Sequence, residues 1–339
     1  MAEPVPAGER QRRLLTLVAA SCVAIIVYGG VRGIEGFVLR YLQPQRGEMR
    51  SVSNLLLAAA FGVAIYMWLD LRTTRASLSS VERSRLVVET QLALAAEVQR
   101  GLLPPVPISF NHVRWASRLE PAGKIGGDFY DFIPTGPDTL LVLVGDVSGK
   151  GIPAALLQAS AHSLFRTLAR SAPQPSDLLA LVSREIYAEN AGALYLTCLA
   201  VSIDGTSGRL LYANAGHPAG VVVGKSGRRL LNQGGPPVGM FAEAQYQSEV
   251  VRVDAGDLGV IVTDGITEAI EQADVPTVDR LDAVLSTISS SVSPSGAPEQ
   301  VCETIMALAD HSAGPLGVLD WQDDKTVLAF MVESGSEST

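Results

Sequence analysis

Apolar residues are unevenly distributed along the chain, and their heaviest concentration lies near the N-terminus. Residues 14–31 and residues 52–69 contain no charged side chain. A helix rises about 1.5 Å per residue, so each stretch is just long enough to cross a bilayer. Arginines flank the outer end of each stretch, which favours a hairpin with both termini in the cytoplasm. We therefore predict a multi-pass anchor in the inner membrane over residues 1–70, with the remainder of the chain in the cytoplasm.

A cleaved signal peptide is the alternative for residues 14–31, and Cys22 also permits a lipoprotein signal. The apolar stretch continues beyond Cys22, which argues against cleavage there. The loop between the two stretches contains arginines as well, so charge alone does not determine the orientation.

Residues 71–105 show a helical pattern that ends at a group of prolines. Heptad spacing predicts a seam of Leu71, Leu78, Arg85, Leu92 and Gln99, alternating with Thr74, Val81, Val88, Ala95 and Leu102. Its polar members predict a weak parallel homodimer. The alternative is a single amphipathic helix that lies on the following domain.

Short apolar strands, glycine turns and helices follow one another from residue 106 to residue 333. We predict strands over residues 112–119, 129–133, 139–147, 194–203, 209–214, 220–223, 247–253, 258–263 and 326–331. Helices are predicted over residues 152–170, 176–190 (with Ser176 as N-cap), 278–289 and 298–310. Glycine turns such as residues 204–208 indicate antiparallel hairpins. The predicted fold class is α+β, with two packed antiparallel sheets flanked by helix pairs, and residues 334–339 form a disordered tail.

Composition narrows the possible functions. The chain has 339 residues, of which 47% are hydrophobic, and a net charge of −9. This acidic balance gives no electrostatic basis for nucleic-acid binding. The three cysteines lack metal-ligand or disulfide spacing, which fits a reducing compartment.

Aspartates stand where the predicted strands meet glycine turns. Asp146 follows the apolar residues 140–144, and Asp264 follows a second apolar strand in the same way. Asp128 precedes a strand after two glycines, and Asp323 lies just before the last strand. If these carboxylates converge, they form an oxygen-rich site that suits Mg²⁺ or Mn²⁺ rather than zinc.

The glycine-rich residues 145–151 do not form a nucleotide-binding P-loop. That loop needs four residues between its glycines and a Ser or Thr after the lysine. Here three residues separate Gly145 from Gly149, and Gly151 follows Lys150.

Five motifs occur together in one order: GDFYD at 127–131, DVSGKG at 146–151, AGH at 215–217, TDGITEA at 263–269 and DD at 323–324. This set resembles the metal-dependent serine/threonine phosphatases (PPM, type 2C-like), in particular their SpoIIE-type bacterial branch. The resemblance covers about residues 97–332. It implies a PPM phosphatase sandwich that hydrolyses phosphoserine or phosphothreonine on a protein.

The resemblance also implies two Mn²⁺ or Mg²⁺ ions. Asp146 would bridge them, Asp128 and the Val147 carbonyl would serve one ion, and Asp264 and Asp323 would serve the other. Ser148 stands where eukaryotic members carry a histidine that is thought to act as general acid, so the resemblance assigns no proton donor.

Four further residues are candidates for phosphate binding or structural support: Lys124, Lys150, His217 and Asp324. For His217, a buried histidine satisfied by the backbone is favoured. For the two lysines, phosphate attraction and simple charge balance stay equally open.

The implied substrate is a phosphorylated STAS-type anti-anti-sigma factor in partner-switching control of a sigma factor. The alternative is a phosphatase fold that has lost activity and serves as a regulated binding module. Loss of one ligand would be the mark of such a module, and all the expected aspartates are present.

Overall fold

The computed structural model describes residues 28–34, 36, 40, 46–106, 108–271, 276–291, 297–312 and 323–333. The chain divides into two compact units, Met1–Val88 and Glu89–Thr339. Helix α1 spans Arg46–Leu102. The predicted tail, residues 334–339, lies outside the described residues.

Within the part of the chain that the structure describes, no helix combines the length and the apolar character needed to cross a bilayer. The structure therefore does not support the transmembrane hairpin predicted from the sequence. Most of its first span, residues 14–31, lies outside the described residues, whereas the second span falls within α1.

The C-terminal part of α1 is packed on one face only. Leu92 and Gln99 are partly buried, whereas Leu94 and Val98 are exposed. Gln99 donates to the Gly126 carbonyl (2.6 Å) and accepts from the Gly126 backbone N–H (3.2 Å). Two positions of the predicted seam thus face the second unit itself, which agrees with the alternative of a helix lying on the domain.

The second unit contains twelve strands and five further helices among the residues described. The strands are β1 Ile108–Phe110, β2 Val113–Glu120, β3 Phe129–Pro134, β4 Thr139–Val147, β5 Leu196–Asp204, β6 Arg209–Ala215, β7 Gly220–Gly224, β8 Gly227–Leu231, β9 Gly234–Gly235, β10 Glu249–Arg252, β11 Leu258–Val262 and β12 Lys325–Val332. The helices are α2 Ile152–Leu168, α3 Pro175–Asn190, α4 Asp264–Glu271, α5 Thr277–Ser291 and α6 Ala297–Ser312.

Two sheets form the centre of this unit. The first has the strand order β1-β2-β12-β11-β7-β8 and the second β10-β6-β5-β4-β3, with β9 pairing parallel to β6. Every other strand pair is antiparallel. The predicted α+β class with two antiparallel sheets is therefore confirmed.

Three apolar cores arrange the sheets and helices in four layers. Side chains of both sheets, including Trp115, Val142 and Phe330, share the middle core. Helices α2 and α3 cover the outer face of the second sheet, where they pack against Leu141 and Leu143 of β4. Helices α4, α5 and α6 cover the outer face of the first sheet. Strand β4 is buried on both faces, which explains its uninterrupted apolar run.

The main differences from the predicted elements lie at turns and helix starts. Strands β1, β8 and β9 and helix α4 were not predicted, because their short segments carry weak periodicity. Ser176 is not the N-cap of α3: Gln174 occupies that position, and Pro175 begins the helix. Proline suits the first helical position because its φ is already helical and it has no N–H to satisfy.

Candidate metal centre

The predicted aspartates lie at the ends of strands, at one end of each sheet. In the second sheet, Phe129 pairs with Gly145, so the start of β3 lies beside the end of β4. In the first sheet, Val262 pairs with Val327, so the end of β11 lies beside the start of β12. Asp128 and Asp146 therefore come from one sheet, and Asp264 and Asp323 flank paired strands of the other.

Asp128 joins the two sheets directly. Its Oδ2 accepts hydrogen bonds from Thr263 (2.8 Å) and Thr326 (2.5 Å), which belong to the ends of β11 and β12. Thr326 in turn donates its backbone N–H to the Thr263 hydroxyl (3.0 Å). These bonds hold one carboxylate oxygen and leave Oδ1 buried without a hydrogen-bond partner.

Asp324 is a structural anchor rather than a free ligand. Its Oδ1 accepts from the Ala122 N–H (2.7 Å), and its Oδ2 accepts from the Gly127 N–H (2.5 Å) and more weakly from the Asp128 N–H (3.4 Å). Both oxygens are thus engaged with the loop that leads into Asp128. Of the two roles considered for Asp324 from the sequence, the structure thus shows structural support.

Glycines allow the backbone to approach these carboxylates. A Cβ added at Gly127 would lie 2.8 Å from Asp146 Oδ1 and 2.9 Å from the Val147 carbonyl oxygen. A Cβ added at Gly265 would clash with the Asp324 carbonyl oxygen. The Asp146 carboxylate and the Val147 carbonyl, predicted to share an ion, therefore both face Gly127.

The carboxylates also influence one another electrostatically. Burial, with the charges of Asp264 and Asp323, raises the pKa of Asp146 to about 7. Burial and the charge of Asp146 raise the pKa of Asp128 well above its ordinary value, although hydrogen bonds from Thr326 and Thr263 act in the opposite sense. Burial and the charge of Asp323 raise the pKa of Asp264. Three carboxylates whose pKa values are raised at one place indicate a functional cluster.

The donor set fits divalent cations. Asp264, like Asp128, has a buried Oδ1 without a hydrogen-bond partner, so oxygen lone pairs are left for a cation. Among the described residues, no three His, Cys, Asp or Glu side chains are arranged to hold one ion by themselves. The candidates to hold Mn²⁺ or Mg²⁺ stay the predicted aspartates, together with the Val147 carbonyl and water.

The other sequence candidates occupy distinct positions. His217 is buried with its Nδ1 2.9 Å from the Thr197 hydroxyl, and burial lowers its pKa to about 3. A neutral, buried His217 fits the supporting role favoured from the sequence. Lys124 donates to the Glu89 carbonyl (3.4 Å), whereas Lys150 lies 3.5 Å from Asp323.

The comparisons with known proteins agree with this arrangement. The family described as "Stage II sporulation protein E (SpoIIE)" matches residues 136–333, which is more than half of the chain. The chain belongs to the SpoIIE family. The resemblance to the SpoIIE-type branch of the PPM phosphatases is thereby confirmed.

Curated relatives of this SpoIIE-family chain include two proteins of Bacillus subtilis (strain 168). Phosphoserine phosphatase RsbP is 27% identical over 192 residues, covering 55% of this chain and 47% of the relative. Phosphoserine phosphatase RsbU is 25% identical over 183 residues, covering 53% of this chain and 54% of the relative. The chain thus spans about half the length of each relative.

Solved structures show that the fold is that of PP2C-type domains. The SiaA-PP2C domain of Pseudomonas aeruginosa superposes with a TM-score of 0.60 at 21% identity, covering 73% of this chain and 98% of that domain. The RsbU and RsbW domains of Rv1364c from Mycobacterium tuberculosis give a TM-score of 0.54 at 24% identity, covering 66% of this chain and 61% of that one.

Ser148 is tied to the neighbouring strand in this SpoIIE-family chain. Its hydroxyl accepts from the Tyr195 N–H (3.0 Å), and its backbone N–H donates to the Tyr195 carbonyl (2.9 Å). These bonds extend the β4–β5 pairing beyond Asp146 and Val147. Ser148 therefore has a positioning role in the structure.

Sequence reasoning missed the hydroxyls that support the site. Thr263 and Thr326 contact Asp128, and Thr197 contacts His217. Thr263 begins the TDGITEA motif, Thr326 follows the DD motif and Thr197 pairs with Asp146, but threonine is common in strands. Adjacency to the TDG and DD motifs was the available signal for Thr263 and Thr326.

Proposed function

We propose that this chain is a metal-dependent protein serine/threonine phosphatase that hydrolyses phosphoserine or phosphothreonine with two Mn²⁺ or Mg²⁺ ions. The convergence of Asp128, Asp146, Asp264 and Asp323 at one end of a SpoIIE-family sandwich carries this proposal. The relatives named phosphoserine phosphatases support the same reaction class.

The chain's own residues supply positions for this chemistry. Asp146 and the Val147 carbonyl present oxygens at the end of β4, and Asp264 and Asp323 present oxygens from the opposite sheet. When bound, two divalent cations lower the pKa of water and neutralise phosphate charge. Thr263 and Thr326 stabilise the ionised form of Asp128, which is the form that binds metal.

The direct test is release of phosphate from a phosphoserine protein by the full chain with Mn²⁺. We expect Asp146→Asn to abolish release, because it removes a charge from the proposed bridging position. Asp177→Asn, at an exposed position in the first turn of α3, is the matched control and should retain activity. Unchanged turnover in Asp146→Asn would contradict the proposal.

We further propose a phosphorylated STAS-type protein of a partner-switching pathway as the substrate. RsbP and RsbU, as phosphoserine phosphatases, support this class of substrate but do not identify its members. Dephosphorylation of phospho-STAS protein at a much higher kcat/KM than a phosphoserine peptide would support it. Equal kcat/KM values for the protein and the peptide would contradict it.

A homodimer through α1 is a further proposal. Leu94 and Val98 lie on an exposed apolar face one turn apart, opposite the partly buried Leu92 and Gln99. Burial of this face in a second copy would be the driving force. Leu94→Glu with Val98→Glu should then lower the sedimentation coefficient, while Ala93→Glu, exposed but off this face, should not.

Attachment to the inner membrane is proposed on sequence grounds alone, from the uncharged residues 14–31 and 52–69. Fractionation of cells that express the full chain tests it. Recovery in the membrane fraction is expected, and recovery in the soluble fraction would contradict membrane attachment.

A further inference from the structure

Lys150 occupies a defined place at the edge of the carboxylate cluster. It follows the end of β4 and lies between Gly149 (φ 90°) and Gly151 (φ 76°). Glycine adopts these positive φ values without the steric penalty that other residues meet. Two hydrogen bonds to Tyr195 hold Ser148, two residues before Lys150, so the backbone places Lys150 beside the site although its side chain is exposed.

The ammonium group of Lys150 points to a predicted metal ligand. Its Nζ lies 3.5 Å from Asp323 Oδ2, with the lysine side chain 62% exposed and the aspartate side chain 36% exposed. Lys124 serves as a contrast, because its Nζ contacts the Glu89 carbonyl on α1 instead. Of these two lysines, Lys150 is the one whose charge lies at the mouth of the cluster.

The Lys150–Asp323 ion pair is weak enough to exchange. Pairs with this much exposure contribute little stability because water screens them. A divalent cation bound by Asp323 would engage its carboxylate and repel the ammonium. A phosphate dianion at the same place would attract it, and hydrogen bonds between an ammonium and a phosphate are charge-assisted.

We propose that Lys150 binds the phosphoryl oxygens of the substrate and, in the metal-free protein, neutralises Asp323 in place of a cation. This inference rests on the proposed phosphatase function and adds a phosphate-binding residue to it. The proposed role is electrostatic and involves no proton transfer and no covalent bond. The alternative is that Lys150 only balances the charge of the acidic cluster.

The two roles give different binding signatures in the full chain. Calorimetric titration with Mn²⁺ alone measures metal affinity, and titration of the Mn²⁺-loaded chain with inorganic phosphate measures anion affinity. Lys150→Met removes the charge and keeps most of the apolar stem, and Lys150→Arg keeps the charge. Lys225→Met, an exposed lysine of the β7–β8 turn, is the control.

We expect Lys150→Met to bind Mn²⁺ roughly two- to fivefold more tightly, since a competing exposed ion pair is lost. The same variant should bind phosphate roughly tenfold more weakly, the loss typical of a hydrogen bond to a charged group. Lys150→Arg should keep both affinities near the wild-type values, and Lys225→Met should change neither.

Unchanged phosphate affinity in Lys150→Met would overturn the proposal and leave only charge balance. Weaker Mn²⁺ binding in that variant would overturn it as well, because it would show that Lys150 supports the ligands. Failure of the phosphatase assignment can be distinguished from failure of the Lys150 proposal. In that case the wild type would not hydrolyse phosphoserine, whatever the binding titrations show.

Discussion

At the scale of the single residue, Asp128 shows how a buried carboxylate is kept ready for a cation. Two threonine hydroxyls donate to Oδ2 and partly oppose the rise in pKa caused by burial and by Asp146. Oδ1 lacks such a donor. The side chain is therefore oriented by one oxygen and available through the other.

Replacing Thr326 by valine should weaken metal binding. The loss of its hydroxyl raises the pKa of Asp128 further, and outer hydrogen-bond partners of metal ligands commonly contribute 10- to 100-fold in affinity, so we expect a decrease of roughly that size. Mn²⁺ titration of the purified chain measures it. Thr326→Ser restores the hydroxyl and should keep the affinity; a valine variant with wild-type affinity would contradict this role.

Asp131 illustrates the opposite electrostatic balance, away from the metal ligands. It is fully buried, and Arg166 donates to both of its oxygens (2.6 and 2.7 Å) while His162 Nε2 lies 3.1 Å away. Burial alone would raise its pKa, but the hydrogen bonds of His162 and Arg166 lower it below the ordinary value. This cluster attaches α2 to β3.

Arg166→Met should lower the free energy of unfolding at pH 7 by about 2 kcal/mol. This loss is smaller than that expected from breaking a fully buried ion pair, because the Arg166 side chain is 48% exposed. A group whose pKa is lower in the folded state than in the unfolded state stabilises the fold at pH values above its unfolded-state pKa. This stabilisation is lost as the pH falls through the folded-state pKa. Urea unfolding in EDTA should show the difference shrinking below about pH 4. Exposed Arg170→Met is the control, and a pH-independent difference for Arg166→Met would contradict the mechanism.

At the scale of the element, the loop before β3 depends on the size of its glycines. Gly127 faces Asp146 and Val147, whereas a Cβ at Gly123 in the same loop would meet only the Ile125 carbonyl at 3.5 Å, an ordinary contact. The loop is also fastened to α1 through the two hydrogen bonds of Gln99 and to the first sheet through Asp324.

Gly127→Ala should therefore disturb the metal site, whereas Gly123→Ala should not. The added methyl group would force Asp146 or the Val147 carbonyl away from its place, and we expect Mn²⁺ affinity to fall by at least roughly tenfold, as for other shifts of ligand orientation. Gly123→Ala should bind Mn²⁺ like the wild type. Equal Mn²⁺ affinities of the two variants would show that close packing at Gly127 is unimportant.

At the scale of the whole molecule, the carboxylate cluster opposes folding unless its charge is neutralised. A group whose pKa is raised in the folded state makes its full contribution to stability at pH values below its unfolded-state pKa. This contribution is lost as the pH rises through the folded-state pKa. For Asp146 this window extends from about pH 4 to about pH 7.

The metal-free chain should accordingly be less stable at pH 7.5 than at pH 5, by roughly 2–4 kcal/mol from Asp146. Saturating Mn²⁺ should reverse this loss by binding the folded state. Urea unfolding in EDTA and in Mn²⁺ measures both effects. Asp146→Asn removes the titrating group and should show a smaller pH dependence; an equally large loss in that variant would contradict the assignment.

The sequence by itself determined the class of fold and the positions of the acidic residues. Alternating and continuous apolar runs report burial locally, so most strands of both sheets could be placed, and the motif order from Asp128 to Asp323 indicated the family. Short elements such as β8 and α4 were not predicted, because a few residues carry too little periodicity to be recognised.

Only the tertiary structure decided which polar groups meet. The Thr326–Asp128 hydrogen bond joins residues 198 positions apart, and the Gly127–Asp324 bond joins residues 197 apart. No local pattern reports such contacts, because they depend on how two sheets pack face to face. The hydrogen bonds of Asp324 to the loop before β3 followed from that packing, as did the place of Lys150 beside Asp323.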